Sequence, residues 1–375
     1  MLNILELVLS LEKGGRSVRF KDTIQGLREK GHTVVPLCLS RPMADINIAD
    51  LIVNIRKPGI DLPLIKIIHQ LIKKHNIDIV HAHCEHTQLY GGIACFLANT
   101  PIVATFHRSN LKHYQPSILN SLLKFFISSF VAVSDDRVKL LQDNLQINTQ
   151  RSRVISGGTL VLEQPDELAI VAAKQRLSIE SDHLILLSIG HLGEIKGHQD
   201  TLVALHDLLT DFPKIHLYIA GDGSQSEKTT LLSIIEKLAL ADHVSLLGQI
   251  NNADDWLTAC DIFVQPSIEE AFGLVFIEAG SKAKPVVSTA VGGIKEIIVH
   301  NETGLLVSPK SPQELAKAIA ICIENPEKRK QMGNNAYDRV ASKYTLEHMI
   351  SNYLDEFTKQ LKLKSKKRIF NRNSI

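Results

Sequence analysis

The stretch Asp261–Ala279, DIFVQPSIEEAFGLVFIEA, carries the strongest indication of fold and function in this chain. The uninterrupted apolar run at Ile262–Val264 predicts a strand buried on both faces, because a half-exposed strand would alternate apolar and polar residues. A polar loop follows, and Gly273 then leads into an apolar segment typical of a buried helix. The stretch therefore predicts one strand–loop–helix unit of a parallel sheet.

The same alternation continues along all 375 residues. In the first half, strands are predicted at Ile4–Leu9, Thr33–Leu39, Ile77–His81, Ile102–Phe106 and Phe130–Val133, with helices from Gly15 to about Lys30 and at 62–75, 87–98, 114–127 and 135–145. In the second half, strands are predicted at Leu184–Ile189, Ile215–Ala220, Val244–Leu247, Ile262–Val264 and Pro285–Ser288, with helices at 198–210, 226–239, 273–283, 312–324 and 327–342. The predicted fold class is α/β, with two doubly wound Rossmann-like domains facing across a cleft, and ligands of such sheets bind at the carboxyl ends of the strands.

The predicted domains are 1–160 and 161–344, and they differ in charge. Residues 1–160 hold 19 Lys and Arg against 12 Asp and Glu, residues 161–360 hold 17 against 28, and residues 361–375 hold six basic residues and no acidic one. This asymmetry favours an anionic partner for the first domain. No recognition motif for nucleic acid accompanies the charge, so we expect none to bind.

The composition indicates an ordinary folded protein of a reducing compartment. Apolar residues make up 44% of the chain and charged residues 22%. The five cysteines are scattered without a CxxC pair, which argues against a disulfide framework. The N-terminus lacks a basic segment and a cleavage site typical of a signal peptide, and no apolar run reaches the roughly 20 residues of a spanning helix. We expect a cytoplasmic protein that rests, at most, on a membrane surface.

The loop and helix of the opening stretch have the chemistry of a phosphate site. Glu270 and Glu278 flank a predicted helix N-terminus, where Gly273, Leu274 and Val275 supply N–H groups without helical partners. A carboxylate on each side of a phosphate site suits a ligand with hydroxyl groups at both ends. The pattern predicts a nucleoside diphosphate sugar.

Ser267–Ala279 resembles the S-x-x-E-[GA]-F-G-x-x-x-x-E-A motif of the retaining glycosyltransferases of family 4, which have the GT-B fold. Further segments resemble that family in the same order along nearly the whole chain: Gly14-Gly15, Asp78–His83 with Gly91-Gly92, Thr105-Phe106-His107, Val133-Ser134, Gly190-His191-Leu192 with Lys196-Gly197, Gly221-Asp222-Gly223, Gly292–Glu296 and Asn301–Leu306. The resemblance also implies that a last helix, from about Thr345, crosses back to the N-terminal domain before a basic tail ends at residue 375.

The resemblance implies the following roles. The catalytic residues would be His107 near the reacting carbon of the donor sugar, Lys196 at the leaving diphosphate and Glu270 at the sugar hydroxyls. The donor-binding residues would be Gly15, His191, Lys196, Glu270, Phe272, Gly273, Leu274, Val275 and Glu278, with Glu278 holding the ribose. The second domain would bind the donor and the first a saccharide or lipid-linked acceptor, as in relatives that build cell-surface polysaccharide or lipopolysaccharide.

The chain departs from the family pattern at three places. His191 replaces an arginine, Ser156-Gly157-Gly158 replaces P-N-G, and Arg108 stands where an acidic residue often follows T-x-H. The chain has no D-x-D, the usual metal–diphosphate signature, so we expect no metal and no other cofactor.

Several alternatives remain open. A sugar-nucleotide epimerase of the same fold and a non-catalytic sugar-nucleotide-binding protein would share these motifs. His81, His83 and His86 could suggest a metal site, but packed or cleft-lining histidines fit better. An NAD enzyme is disfavoured because Ser226 stands where the third glycine of a dinucleotide fingerprint would be. The apolar face of helix 114–127, with Lys112 and Lys124 beside it, fits either core packing or a helix at an anionic membrane.

Overall fold

A computed structural model describes residues 1–12, 14–43, 47–108, 110–179 and 183–372, apart from the side chains of His113 and of residues 367–372. The chain divides into two compact units. The first consists of Met1–Gly158 together with the helix that begins at Leu346, and the second is Thr159–Thr345.

The first unit is built on a parallel sheet. Its described strands are β1 (Asn3–Val8), β2 (Thr33–Cys38), β3 (Ile52–Val53), β4 (Ile79–Ala82), β5 (Ile102–Phe106), β6 (Ser129–Ala132) and β7 (Ser152–Val154). Its helices include α1 (Gly15–Glu29), α2 (Leu62–Lys74), α3 (Glu85–Ala98), α4 (Ile118–Phe126) and α5 (Asp135–Asp143). The strand order is β3-β2-β1-β4-β5-β6-β7, so the chain changes direction across the sheet between β1 and β4. Ligands of doubly wound sheets bind at the carboxyl edge of such a switch point.

The second unit repeats this design. Its described strands are β8 (Leu184–Ile189), β9 (Ile215–Ala220), β10 (Val244–Gly248), β11 (Ile262–Gln265), β12 (Val286–Thr289) and β13 (Gly304–Val307). Its helices are α6 (Glu167–Arg176), α7 (His198–Leu208), α8 (Gln225–Lys237), α9 (Ala253–Ala259), α10 (Leu274–Ser281), α11 (Ile294–Ile297), α12 (Pro312–Glu324) and α13 (Pro326–Lys343). The order β10-β9-β8-β11-β12-β13 places the switch point between β8 and β11.

The last helix, α14 (Leu346–Arg372), belongs to the first unit and packs against α1. Gly26 allows the close approach, because a Cβ at that position would lie 2.5 Å from Ile350 Cγ1. Tyr353 and Phe357 are fully buried on the same face of the sheet as α1. The segment predicted as a basic tail continues this helix to Arg372.

Short elements account for most differences from the sequence predictions. β3, β7 and β13 have two to four residues each and escaped prediction, as did α6, α9 and α11. The helix predicted over 114–127 begins only at Ile118, where Ser117 caps it by accepting a hydrogen bond from the Asn120 N–H. Tyr114 lies instead in a 3-10 turn, fully buried. In the described part of the chain, no helix is both long and apolar enough to cross a membrane.

Candidate active site

The loop between β11 and α10 is shaped by Gly273. This residue stands at the N-cap of α10 with a positive φ of 93°, and a Cβ there would lie 2.4 Å from the Phe276 ring. A side chain is therefore excluded on both steric and conformational grounds. Among the described residues, none accepts a hydrogen bond from the Leu274 or Val275 amide, so the N-terminus of the helix is open to an anion.

Lys196 reaches this loop from the neighbouring strand. It ends the 3-10 turn Glu194–Lys196 that follows β8. Gly197 then has a positive φ of 71°, and a Cβ there would lie 2.1 Å from the Pro266 carbonyl oxygen. The Ile268 amide donates to the Ile195 carbonyl over 2.7 Å. The two loops are thus locked together by backbone contacts.

Gln265, the last residue of β11, also holds the Lys196 loop through hydrogen bonds. Its side-chain Nε2 donates to the Lys196 carbonyl over 2.6 Å, and its side-chain Oε1 accepts a hydrogen bond from Ser188 Oγ over 3.0 Å. Ser188 Oγ is in turn 3.2 Å from Nδ1 of the buried His198. Burial lowers the pKa of His198 to about 4, which keeps this ring neutral near pH 7. The base of the Lys196 loop is therefore a buried polar network.

Lys196 and Glu270 form an ion pair in this structure. Lys196 Nζ lies 2.5 Å from Glu270 Oε2, and both side chains are largely buried. An ammonium group has three N–H donors, so the bond to Glu270 leaves two for a ligand. The structure thus joins two residues that the sequence analysis assigned separately, one to the diphosphate and one to the sugar. Phe272 lies in the sequence between Glu270 and α10, and its side chain is buried against Tyr344.

Glu278 lies on α10 itself, one turn beyond Leu274, and is partly buried. Its backbone carbonyl accepts a hydrogen bond from Ser281 Oγ. The structure keeps both glutamates on the same loop–helix unit, with Glu270 before the open helix end and Glu278 after it. This is the order that the sequence motif predicts.

His191 follows β8 and is well exposed, with 63% of its side chain accessible. Its Nδ1 accepts a hydrogen bond from the Gly193 amide over 3.0 Å and lies 3.8 Å from Glu227 Oε1. The ring therefore packs on its own loop through Nδ1. Gly221 brings the next loop close, because a Cβ there would lie 1.8 Å from the Gly190 carbonyl oxygen.

The first unit contains a second cluster, centred on the fully buried Glu6 of β1. Its two carboxylate oxygens each bond one histidine of the β4 segment, His81 Nδ1 at 3.0 Å and His83 Nε2 at 2.8 Å. His83 Nδ1 is 2.9 Å from Nε2 of His107, which follows β5, and the two rings are stacked. Gly15, the remaining predicted donor-binding residue, is exposed at the first position of α1.

The other branch of this network ends on α14. His81 Nε2 is 2.7 Å from Thr105 Oγ1, which is 3.0 Å from the Tyr353 hydroxyl. Arg19 donates to the same hydroxyl over 2.9 Å and to the Ile155 carbonyl over 2.6 Å. The network thus ties β1, β4, β5, α1 and α14 together beneath His107.

Burial and charge set the ionisation of this cluster. Burial alone would raise the pKa of Glu6, but the charge and hydrogen bonds of His81 and His83 outweigh it and lower the pKa to about 2. Desolvation lowers the pKa of His83 to about 4 and that of His107 well below its usual value. Near pH 7, Glu6 is therefore an anion and His83 is a neutral ring.

Among the described residues, Glu6, His81 and His83 form the one group of metal-binding residue types whose donor atoms lie close together. In this structure each carboxylate oxygen of Glu6 is hydrogen-bonded to one ring nitrogen, Oε1 to His81 and Oε2 to His83. His86, the third histidine of the predicted cluster, is only partly buried and is not in the group. The packed-histidine interpretation agrees with these contacts.

Two family models together match most of the chain. The model described as Glycosyltransferase Family 4 matches residues 13–159, and the model described as Glycosyl transferases group 1 matches residues 171–339. This chain is a family 4 glycosyltransferase. Among curated relatives, the glycosyltransferase is 26% identical to N-acetyl-alpha-D-glucosaminyl L-malate synthase of Bacillus anthracis over 359 residues, which span 91% of this chain and 92% of that protein.

Solved structures agree with the GT-B fold. The Anabaena protein Alr3699/HepE in complex with UDP superposes with a TM-score of 0.84 at 22% identity, over 96% of this glycosyltransferase and 100% of that chain. WaaG, a glycosyltransferase involved in lipopolysaccharide biosynthesis, superposes with a TM-score of 0.75 at 15% identity, over 95% and 99% of the two chains. Each unit of the glycosyltransferase contains a doubly wound parallel sheet, as predicted from its sequence.

Sequence reasoning missed two residues that hold the site. The predicted strand Ile262–Val264 stops before Gln265 and gives that residue no role, whereas its side-chain amide anchors the Lys196 loop. Glu6 lies inside the predicted strand Ile4–Leu9, and the pattern alone gives it no role. A carboxylate in the middle of the buried run Ile4–Val8 was the available signal, because charged residues are rarely buried without a partner. Its partners lie 75 and 77 positions away.

Proposed function

We propose that this glycosyltransferase moves a sugar, with retention of anomeric configuration, from a nucleoside diphosphate sugar to a hydroxyl group of a saccharide or lipid-linked saccharide. The observation that carries the proposal is the Lys196–Glu270 pair beside the open N-terminus of α10, at the switch point of the second sheet. The likeness to HepE, whose structures contain UDP and UDP-glucose, supports this class of donor.

The site supplies positive charge where the leaving group develops negative charge. As the bond to the sugar breaks, charge grows on the diphosphate, and fixed N–H dipoles with a nearby ammonium lower that barrier. Lys196 and the amides of Leu274 and Val275 are placed for this role. Because these groups provide the stabilisation that a divalent cation provides elsewhere, we propose transfer without a metal.

The two glutamates would bind different parts of the donor. Glu278, inside α10, would accept hydrogen bonds from the ribose hydroxyls, and Glu270 would accept them from the sugar. In the first unit, His107 would contact the donor sugar near the reacting carbon. Gly15 and His191 would lie along the diphosphate, as the family resemblance implies.

The acceptor side is proposed from charge. The first unit holds 26 Lys and Arg against 15 Asp and Glu, a net of +11, whereas the second holds 16 against 25, a net of −9. A cationic unit favours an acceptor with phosphate or other anionic groups. Such acceptors include the lipid-linked intermediates of cell-surface polysaccharide and lipopolysaccharide, the process in which WaaG is involved.

A surface of α3 and α4 fits peripheral contact with an anionic membrane at its cytoplasmic face. Ile118, Phe125 and Phe96 are 84%, 69% and 59% exposed, and the two phenylalanine rings lie 5.6 Å apart. From Leu62 to Ser134 the sequence has six Lys and Arg but only Asp78 and Glu85 as acids. Exposed aromatic and aliphatic side chains among cations are typical of a membrane-surface helix.

Turnover with a donor panel tests the proposed function. UDP-, GDP- and ADP-sugars would be incubated with the protein and a lipid-linked or saccharide acceptor in the presence of a chelator, and the anomer of any product would be determined by NMR. The proposal expects one donor to give an α- or β-product matching its own configuration. An epimerised donor without any acceptor product would identify the epimerase, and nucleotide binding without turnover would identify a non-catalytic protein.

Matched lysine variants connect the activity to the site. Lys196→Ala should lower kcat by roughly 100-fold, the order expected when one charge-stabilising group is lost. Lys228→Ala is the control, because Lys228 is a lysine at the same edge of the sheet that pairs with the exposed Asp222. Equal activity of both variants would contradict the assignment of Lys196.

A further inference from the structure

The buried network beneath His107 determines which ring nitrogen of that residue carries the hydrogen. A carboxylate can only accept hydrogen bonds, so Glu6 Oε2 requires the hydrogen of His83 to be on Nε2. A neutral His83 then presents a lone pair on Nδ1. The His107 Nε2 atom, 2.9 Å away, must therefore donate. By this chain of constraints, the hydrogen of a neutral His107 is on Nε2 and its Nδ1 carries a lone pair.

We propose that Glu6 is a positioning residue that acts through His83 to fix His107 in the Nε2–H tautomer, so that the His107 atom presented to the donor sugar is the acceptor Nδ1. In a five-membered ring Nδ1 and Nε2 point to different sides, so the bond to His83 turns Nδ1 away from the network. In the described part of the chain no group bonds to Nδ1, and His107 is partly exposed. The ligand chemistry is a sugar hydroxyl that donates a hydrogen bond to this nitrogen.

The surrounding groups support this direction of the hydrogen bonds. The titratable and charged groups that face His83 and His107 are Glu6, His81, Arg19 and Arg16. Both arginines are permanent cations and disfavour a proton on either ring, in the same sense as burial. Glu6 is the one anion among them, and its second oxygen is occupied by His81.

The inference rests on the proposed function only for the identity of the ligand, because the tautomer is a property of the protein alone. It can therefore be tested without a donor. In protein labelled with 15N at histidine, long-range proton–nitrogen spectra distinguish protonated from unprotonated ring nitrogens, and His107 is assigned by comparison with His107→Ala. We expect an unprotonated Nδ1 and a protonated Nε2 for His107 from about pH 6 to pH 8.

Two variants remove the constraint, and one control leaves it. Glu6→Met has nearly the same length but offers no oxygen acceptor, and His83→Phe keeps a stacked ring without nitrogens. In both, His107 should change to a mixture of tautomers. Tyr353→Phe removes a hydroxyl from the opposite end of the same network and should leave the His107 signals unchanged. A His107 with Nδ1–H in the wild type, or an unchanged tautomer in both Glu6→Met and His83→Phe, would overturn the proposal.

A binding cycle then connects the tautomer to the sugar. UDP and UDP-glucose are the probes, and the ratio of their Kd values isolates the contribution of the sugar. Glu6→Met should weaken UDP-glucose about three- to tenfold, the loss expected for one hydrogen bond, and leave UDP unchanged. In a His107→Ala background, Glu6→Met should have no further effect. Equal losses in both backgrounds would show a merely structural role for Glu6, whereas failure of the wild type to bind UDP would contradict the proposed function instead.

Discussion

Replacing Glu270 with glutamine should strengthen the binding of UDP while it weakens the additional binding given by the sugar. Glu270 Oε2 is 2.5 Å from Lys196 Nζ, so the carboxylate already neutralises the ammonium. A phosphate oxygen bonded to another N–H of the same ammonium would lie about 3 Å from Nζ and, at a tetrahedral angle, about 4.5 Å from Glu270 Oε2. Two like charges at that separation repel by about 1 kcal/mol in water and about 4 kcal/mol at the effective dielectric of a protein surface.

Glutamine removes this repulsion and keeps an acceptor oxygen for Lys196. The Kd of UDP should therefore fall about fivefold or more, since 1.4 kcal/mol corresponds to about a factor of ten. The ratio of the Kd of UDP to the Kd of UDP-glucose should shrink, because a neutral amide accepts a weaker hydrogen bond from a sugar hydroxyl than a carboxylate does. Titration calorimetry of UDP and UDP-glucose measures both effects. Glu278→Gln is the comparison, and it should weaken UDP itself. Equal weakening of UDP by both variants would refute the separate roles of the two glutamates.

Three further predictions concern pH and the membrane. His191→Arg should keep turnover and flatten any fall in rate between about pH 6 and pH 8, because an arginine stays charged throughout this range. Superimposable pH–rate profiles of wild type, His191→Arg and His191→Ala would place His191 outside the chemistry. Acid should destabilise the fold, because burial lowers the pKa values of His83 and His198 to about 4. The unfolded chain therefore takes up protons on these histidines first as the pH falls below about 6.5. Each histidine should remove about 2 kcal/mol of stability by about pH 5. Urea unfolding at about pH 7.5 and pH 5 checks this, and a His198→Gln variant as acid-sensitive as the wild type would contradict it. The protein should sediment with anionic liposomes at low salt. Phe125→Gln should reduce the sedimented fraction several-fold, whereas Leu232→Gln, at an exposed leucine of α8, should not change it. An equal reduction by both variants would exclude the α3–α4 surface as the membrane contact.

The long buried strands could be predicted from the sequence, and the short edge strands could not. Leu184–Ile189 and Ile215–Ala220 were predicted to the residue, because apolar residues dominate both runs and polar loops bound them on each side. Ile52–Val53, by contrast, is too short to show any periodicity, and hydrogen bonds to Leu37 and Cys38 of a different segment define it. The helix predicted over 114–127 started too early because Tyr114 is buried by a turn rather than by a helix face.

The candidate site was predictable where its residues are consecutive. Glu270, Gly273 and Glu278 lie on one loop–helix unit, so their order along the chain already gives their order in space. The ion pair of Lys196 with Glu270 joins residues 74 positions apart, and the Glu6 network joins five elements. No local pattern encodes such contacts. They depend on the strand order β3-β2-β1-β4-β5 and β9-β8-β11, which the sequence analysis did not assign.

Hydrogen exchange with and without UDP tests the central claim most directly, namely that the second unit binds the nucleotide diphosphate on the Lys196 loop and α10. Amide exchange would be followed by mass spectrometry in the presence of a chelator, with the Lys196→Ala variant in parallel. The account predicts that UDP slows exchange in peptides covering residues 190–197 and 267–281, and that the variant loses much of this protection. Protection confined to peptides of the first unit, or equal protection in the wild type and Lys196→Ala, would contradict it.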